Sequence, residues 1–224
     1  MMPFAGGIES TANATLLMSL AAAAIYGFAM ETMASWPRTV VKTLGVALLA
    51  VLVAVVHGPW LLVAALALGA VGDALLSRDG DRAFLAGLAS FLAAHALYIW
   101  LFAAHGGGSS VVLAGVGRIT IAAILALAAM AMIVLLWPRV KPELRLPILA
   151  YCLTIFVMGL AALTLGNPWI IAGALLFIIS DGILGAEKFI VAAISPRREL
   201  MRLAVWAFYY CGQLFITLGF LLGR

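Results

Sequence analysis

Charge is scarce in this chain. Only 10% of its 224 residues are Asp, Glu, Lys or Arg, against 66% hydrophobic residues and a mean hydropathy of +1.20. So few polar side chains cannot cover a water-soluble globule, which excludes the soluble domain classes and leaves lipid as the solvent. Cysteine is nearly missing as well. Cys152 and Cys211 lie in apolar runs without CxxC spacing, so neither a disulfide framework nor a sulfur-ligated metal is implied, and both read as small core residues. Of the three histidines, His57 and His105 fall in predicted outer loops and only His95 lies near the acids of the apolar segments, too few for the three or four converging ligands of a zinc hydrolase. No metal or other cofactor is expected. A GxSxG elbow is lacking, which argues against a serine hydrolase. The longest polar stretch, AEKFIVAAISPRRELMR at 186–202, holds only a loop and the start of a helix. The expectation is one integral membrane domain over 1–224, with no soluble appendage.

What is present is a series of apolar segments long enough to cross a bilayer, at 11–30, 39–56, 60–77, 83–104, 111–136, 146–165, 168–187 and 200–222. Breakers separate them: Pro37, Gly58-Pro59, Gly80, Gly106 to Gly108, Pro138 with Pro142, Asn167-Pro168 and Pro196. The fold class predicted is all-α, a polytopic bundle of eight transmembrane helices. The first ten residues lack the basic n-region of a signal peptide, so the first span is expected to be its own insertion signal. Basic residues flank alternate loops: Arg38 and Lys42, Arg78 and Arg82, Arg139, Lys141 and Arg145, then Lys188, Arg197, Arg198 and Arg202. Lys and Arg stay cytoplasmic, so the odd loops face inward, with both termini outside and Arg118 at an outer helix end. A bacterial plasma membrane is the expected location. The net charge of +4 follows from this bias and the anionic inner leaflet, and is no nucleic-acid footprint.

Two acids break the apolar pattern, Asp73 in LALGAVGDALL and Asp181 in LLFIISDGILG. A charged side chain near mid-bilayer costs at least about 2.5 to 3.5 kcal/mol, so each is a candidate for function, a helix-to-helix hydrogen bond being the structural alternative. Spans three and seven run in the same direction, which places both acids a few residues before a cytoplasmic end. GAVGDALL resembles FIISDGIL four spans later, a weak hint of a 4+4 duplication. His95 and Tyr98 share a face of the fourth span, and Tyr210 and Gln213 share one in the eighth, with Tyr209 beside them. Both faces are candidates for turning toward one cavity. Lys42 either pairs with an acid, holds a phosphate or snorkels to the interface. Asp79, Asp81, Glu143 and Glu199 read as solvated loop charges, and Glu187 as a residue at the mouth of a site.

The order and spacing of WPRTVVKTLGVALLA, GDALL, FLAGLASFLAAHALYI, GALLFIISDGIL and YYCGQL resemble the YhhN-like lysoplasmalogenase family of integral membrane proteins over nearly the whole chain. The resemblance implies an eight-span bundle that hydrolyses the vinyl ether of lysoplasmalogens to a fatty aldehyde and a glycerophospho-alcohol. The positions it carries over are Lys42, Gly72 with Asp73, His95, Tyr98, Ser180 with Asp181, Tyr210 and Gln213.

The residues suit that chemistry in their own right. A vinyl ether is hydrolysed by protonation of its β-carbon and addition of water to the resulting oxocarbenium ion, which asks for one acid and one carboxylate. Carboxyls withdrawn from water and near one another titrate far apart, so one of a pair keeps its proton at neutral pH while the other stays ionised. Asp73 and Asp181 are therefore the expected catalytic pair. Lys42, His95, Tyr98, Ser180, Tyr210 and Gln213 are expected to orient the acids or bind a lysophospholipid. The competing reading is a proton-coupled transporter, because paired intramembrane acids also form proton relays.

Overall fold

The computed structural model describes residues 2–29, 35–78 and 80–223. A segment surrounded by lipid must satisfy each backbone N–H and C=O within itself, so the apolar runs become helices, and no strand occurs among the described residues. After a short 3-10 turn at Gly7–Glu9 come α1 (Thr11–Ala29), α2 (Trp36–Val55), α3 (Trp60–Leu76), α4 (Asp81–His105), the short α5 (Ser109–Leu113), α6 (Val116–Leu136), α7 (Pro142–Ala162), α8 (Pro168–Phe189) and α9 (Arg197–Leu222). Seven of these are long and apolar enough to cross a membrane, and α3 is apolar but shorter, at 17 residues. Each of the eight expected spans is matched by a helix of at least 17 residues. Asp79 and the end of the first expected span lie outside the described residues.

Local chemistry sets the boundaries. Helix α2 starts three residues before expectation because Ser35 caps it, its side chain accepting from the Arg38 N–H, with Pro37 in the first turn where no N–H is needed. Helix α8 starts in the same manner, the Asn167 side chain accepting from the Trp169 N–H at 2.9 Å ahead of Pro168. The fifth expected span is corrected. It was predicted to begin at 111, yet Gly115 adopts an extended conformation (φ −123°) that separates the five-residue α5 from α6.

The chain forms two compact units, Met1–Tyr98 with Gln213–Arg224, and Ile99–Gly212. In the first, α1, α2 and α3 pack around buried Val46, Leu49, Leu52, Leu62 and Leu66. Hydroxyls tie these helices and α4 to one another: Ser19 donates to the Gly45 carbonyl at 2.6 Å, Ser77 to Thr39 at 2.9 Å and Ser90 of α4 to the Leu68 carbonyl at 2.7 Å. In the second unit, α8 and α9 approach until a Cβ at Gly212 would stand 2.8 Å from the Gly173 carbonyl oxygen, so only glycine fits there. Arg118, expected to snorkel outward, instead donates to the Leu163 carbonyl at 2.7 Å, satisfying an acceptor at the end of α7.

Candidate active site

In the first unit Lys42, for which three readings were open, is paired with an acid. Its ammonium lies 3.3 Å from Asp73 Oδ1 and 5.8 Å from the centre of the Tyr26 ring. Asp73, three residues before the end of α3, is only 1% exposed, so the pairing offsets the cost of a carboxylate buried in an apolar bundle. The preceding residue has to be small. A Cβ on Gly72 would stand 2.7 Å from the Phe91 ring, which brings α4 against α3 beside the carboxylate.

Phe91 leads to the other expected residues of α4. His95, one turn on, has Nδ1 2.6 Å from the Phe91 carbonyl, which can only accept, so that nitrogen carries the proton. The Tyr98 hydroxyl donates to Gln213 Oε1 at 2.5 Å, joining two residues that the sequence had placed on separate faces. That bond fixes the amide's orientation. Gln213 Nε2 and, one turn further along α9, Thr217 Oγ1 are buried with no hydrogen-bond partner among the described residues. Seven residues of helix set Tyr98 about 10 Å along α4 from Phe91. The Tyr98–Gln213 pair therefore occupies a deeper level than the Phe91 ring beside Gly72.

In the second unit Asp181 accepts a hydrogen bond from the Tyr151 hydroxyl at 3.2 Å, linking α8 to α7. Ser180 faces the other way and donates to the Val205 carbonyl of α9 at 2.9 Å, so its role is to bind two helices together. Tyr210 stacks on Trp206 with ring centres 5.8 Å apart, and Tyr209 meets Phe177 edge-on at 5.2 Å. Tyr210 thus packs within this unit, while Gln213 belongs to the other. Glu187 is paired with Arg198, which also donates to the Val191 carbonyl at 3.2 Å, closing the turn between α8 and α9. Among the described residues no three His, Cys, Asp or Glu side chains converge as metal ligands would.

Tyr151 and Thr217 were not singled out in the sequence. Each sits in an apolar stretch of helix, and nothing local in the sequence marks what it faces.

The fold and these buried polar groups define a polytopic α-helical membrane protein with a carboxylate inside each of two spans. Residues 37–220 match the YhhN family, and the chain belongs to it. It is similar to the rat lysoplasmalogenase TMEM86B, 36% identical over 162 residues that make up 71% of this chain and 61% of the relative. It is similar also to the human lysoplasmalogenase TMEM86B, 35% identical over 195 residues (84% and 77%), and to a Mycobacterium tuberculosis lysoplasmalogenase, 31% identical over 172 residues (73% and 61%). The alignment thus spans about three fifths of the rat and mycobacterial relatives' own length. No solved structure matches.

Proposed function

We propose that this protein hydrolyses the vinyl ether of lysoplasmalogen-type lysophospholipids, releasing a fatty aldehyde and a glycerophospho-alcohol. The observation that carries the reading is the buried Lys42–Asp73 ion pair, a fixed carboxylate in a span of a chain whose relatives bear the name lysoplasmalogenase. Asp181 acts as the general acid and gives its proton to the β-carbon of the alkenyl chain, forming an oxocarbenium ion at the carbon attached to oxygen. Asp73, held by Lys42, is the second carboxylate of the proposed mechanism and takes a proton from the attacking water. The hemiacetal then separates into aldehyde and glycerol hydroxyl. Tyr151 orients Asp181 through its hydrogen bond. His95, Tyr98 and Gln213 shape the polar lining deeper in the first unit, and Ser180 and Tyr210 hold α8 and α9 in place.

Mass spectrometry of purified protein in detergent with lysoplasmenyl lipids tests the reading. Aldehyde release is the expected result; none at any pH would favour transport with the same carboxylates.

The bias of Lys and Arg supports a bacterial plasma membrane topology with the odd loops inside. A reporter active only outside the cytoplasm is expected to be silent in the 190–196 turn and active in the 106–108 turn. The reverse pattern would invert the orientation.

A further inference from the structure

Hydrolysis of a lysophospholipid requires a place for its phosphate, and Lys42, one candidate in the sequence, is engaged with Asp73. The second unit offers another cation. Where α6 turns into α7, a groove is lined by Ile133, Leu136, Trp137, Val140, Arg145, Ile148 and Leu149. Its walls are apolar and its one charged member is Arg145. The guanidinium stands 5.2 Å from the centre of the Trp137 ring, and its Nε is buried with no hydrogen-bond partner among the described residues. Among the described residues Arg145 forms no ion pair, whereas neighbouring Arg139 donates to the Leu135 carbonyl at 2.6 Å and so caps α6.

The groove is connected to the acid of the same unit. Tyr151, which donates to Asp181, follows Arg145 on α7 by six residues, a rise of about 9 Å. The α6 wall reaches α8 at the same place: a Cβ on Gly185, one turn past Asp181, would lie 3.8 Å from the Leu136 side chain. In a lysophospholipid the glycerol and the vinyl group together separate the phosphate from the β-carbon that takes the proton by a distance of that order. A planar guanidinium with a donor left over suits a phosphate diester, and the Trp137 ring holds it in position.

We propose that Arg145 binds the phosphate of the substrate in the α6–α7 groove and so places its vinyl ether at Asp181. This rests on the hydrolase reading above, and the test separates the two. Wild-type protein, Arg145→Ala and Arg145→Lys are titrated with a saturated 1-alkyl lysophosphatidylethanolamine, which offers the phosphate but no vinyl ether, and with the alkylglycerol that lacks phosphate. Loss of charge-assisted hydrogen bonds is expected to weaken the lysophospholipid about tenfold or more in Arg145→Ala and the alkylglycerol less than about twofold. Arg145→Lys, which keeps the charge but not the fork, falls between and shows that the fold persists. Equal weakening of both ligands, or none, overturns the proposal. Competition distinguishes the source of the phosphate: the proposal expects neither phosphatidylglycerol nor inorganic phosphate to displace the lysophospholipid at equal concentration, and displacement by either assigns the groove to a bilayer lipid or free phosphate instead. With vinyl ether substrates, Arg145→Ala is expected to lower kcat/KM for the phospholipid about tenfold or more and to change kcat/KM for the alkenylglycerol less than about twofold. Wild-type protein that releases no aldehyde, with the binding pattern intact, would remove the hydrolase reading and leave the phosphate site standing.

Discussion

Asp73→Asn and Asp181→Asn are each expected to lower turnover of a lysoplasmenyl lipid at least about a hundredfold, the scale for loss of a general acid or base. The two variants fail for different reasons. Asn at 181 can still accept from Tyr151, so folding is retained and only the transferable proton disappears. Asn at 73 leaves the Lys42 ammonium without its carboxylate, and removing one member of a buried pair costs about 3 to 5 kcal/mol of stability. A loss of activity there would be ambiguous by itself. Lys42→Met with Asp73→Asn removes both charges together, so the double variant is expected to regain thermal stability without regaining turnover. Asp81→Asn, in the first turn of α4, serves as the neutral control. Near-normal turnover in either single variant would overturn the two-carboxylate mechanism, and recovery of activity in the double variant would reduce Asp73 to a structural role.

The second large effect is in the substrate. Because the proton goes to carbon, hydrolysis in heavy water is expected to put one deuterium on the α-carbon of the aldehyde. Water labelled with heavy oxygen leaves the glycerol hydroxyl unlabelled, since that oxygen never parts from its glycerol carbon. The aldehyde is trapped as it forms, before its own oxygen exchanges. Saturated ethers lack the double bond whose β-carbon accepts the proton, so they are expected to bind and show no turnover at all. Esters should be equally inert. Ester cleavage at a comparable rate, or label in the glycerol, would mean attack at the other bond and a different catalytic arrangement.

Helices were legible in the sequence because lipid imposes a length and a composition on each span, and caps such as Ser35 and Asn167 then settle where helices begin. The break at Gly115 was not. It sits in an apolar run whose composition does not change, and only its backbone conformation divides α5 from α6. Among site residues, the acids announced themselves by their desolvation cost, and the pairing of Lys42 with an acid was open as one of three readings. Their other partners were invisible. Tyr151 reaches Asp181 across 30 residues and Tyr98 reaches Gln213 across 115, and a single sequence has no periodicity at such separations. Arg145 looked like a topological marker because its charge fits the loop bias; the groove around it exists only once α6 and α7 have packed.

Helix α3 has a mechanical consequence. Its 17 residues rise about 25 Å, short of the roughly 30 Å of a typical hydrocarbon core. Hydrophobic mismatch of this kind is relieved by thinning the surrounding leaflets, at a fraction of a kcal/mol per Å. Asp73 lies three residues before the end of that helix, so thinning there brings the headgroup level toward the carboxylate. Membrane thickness then becomes a control variable alongside chemistry: in a thin host bilayer the headgroups already lie near Asp73, and in a thick one each approach of a lipid to it carries the elastic cost of compressing the membrane.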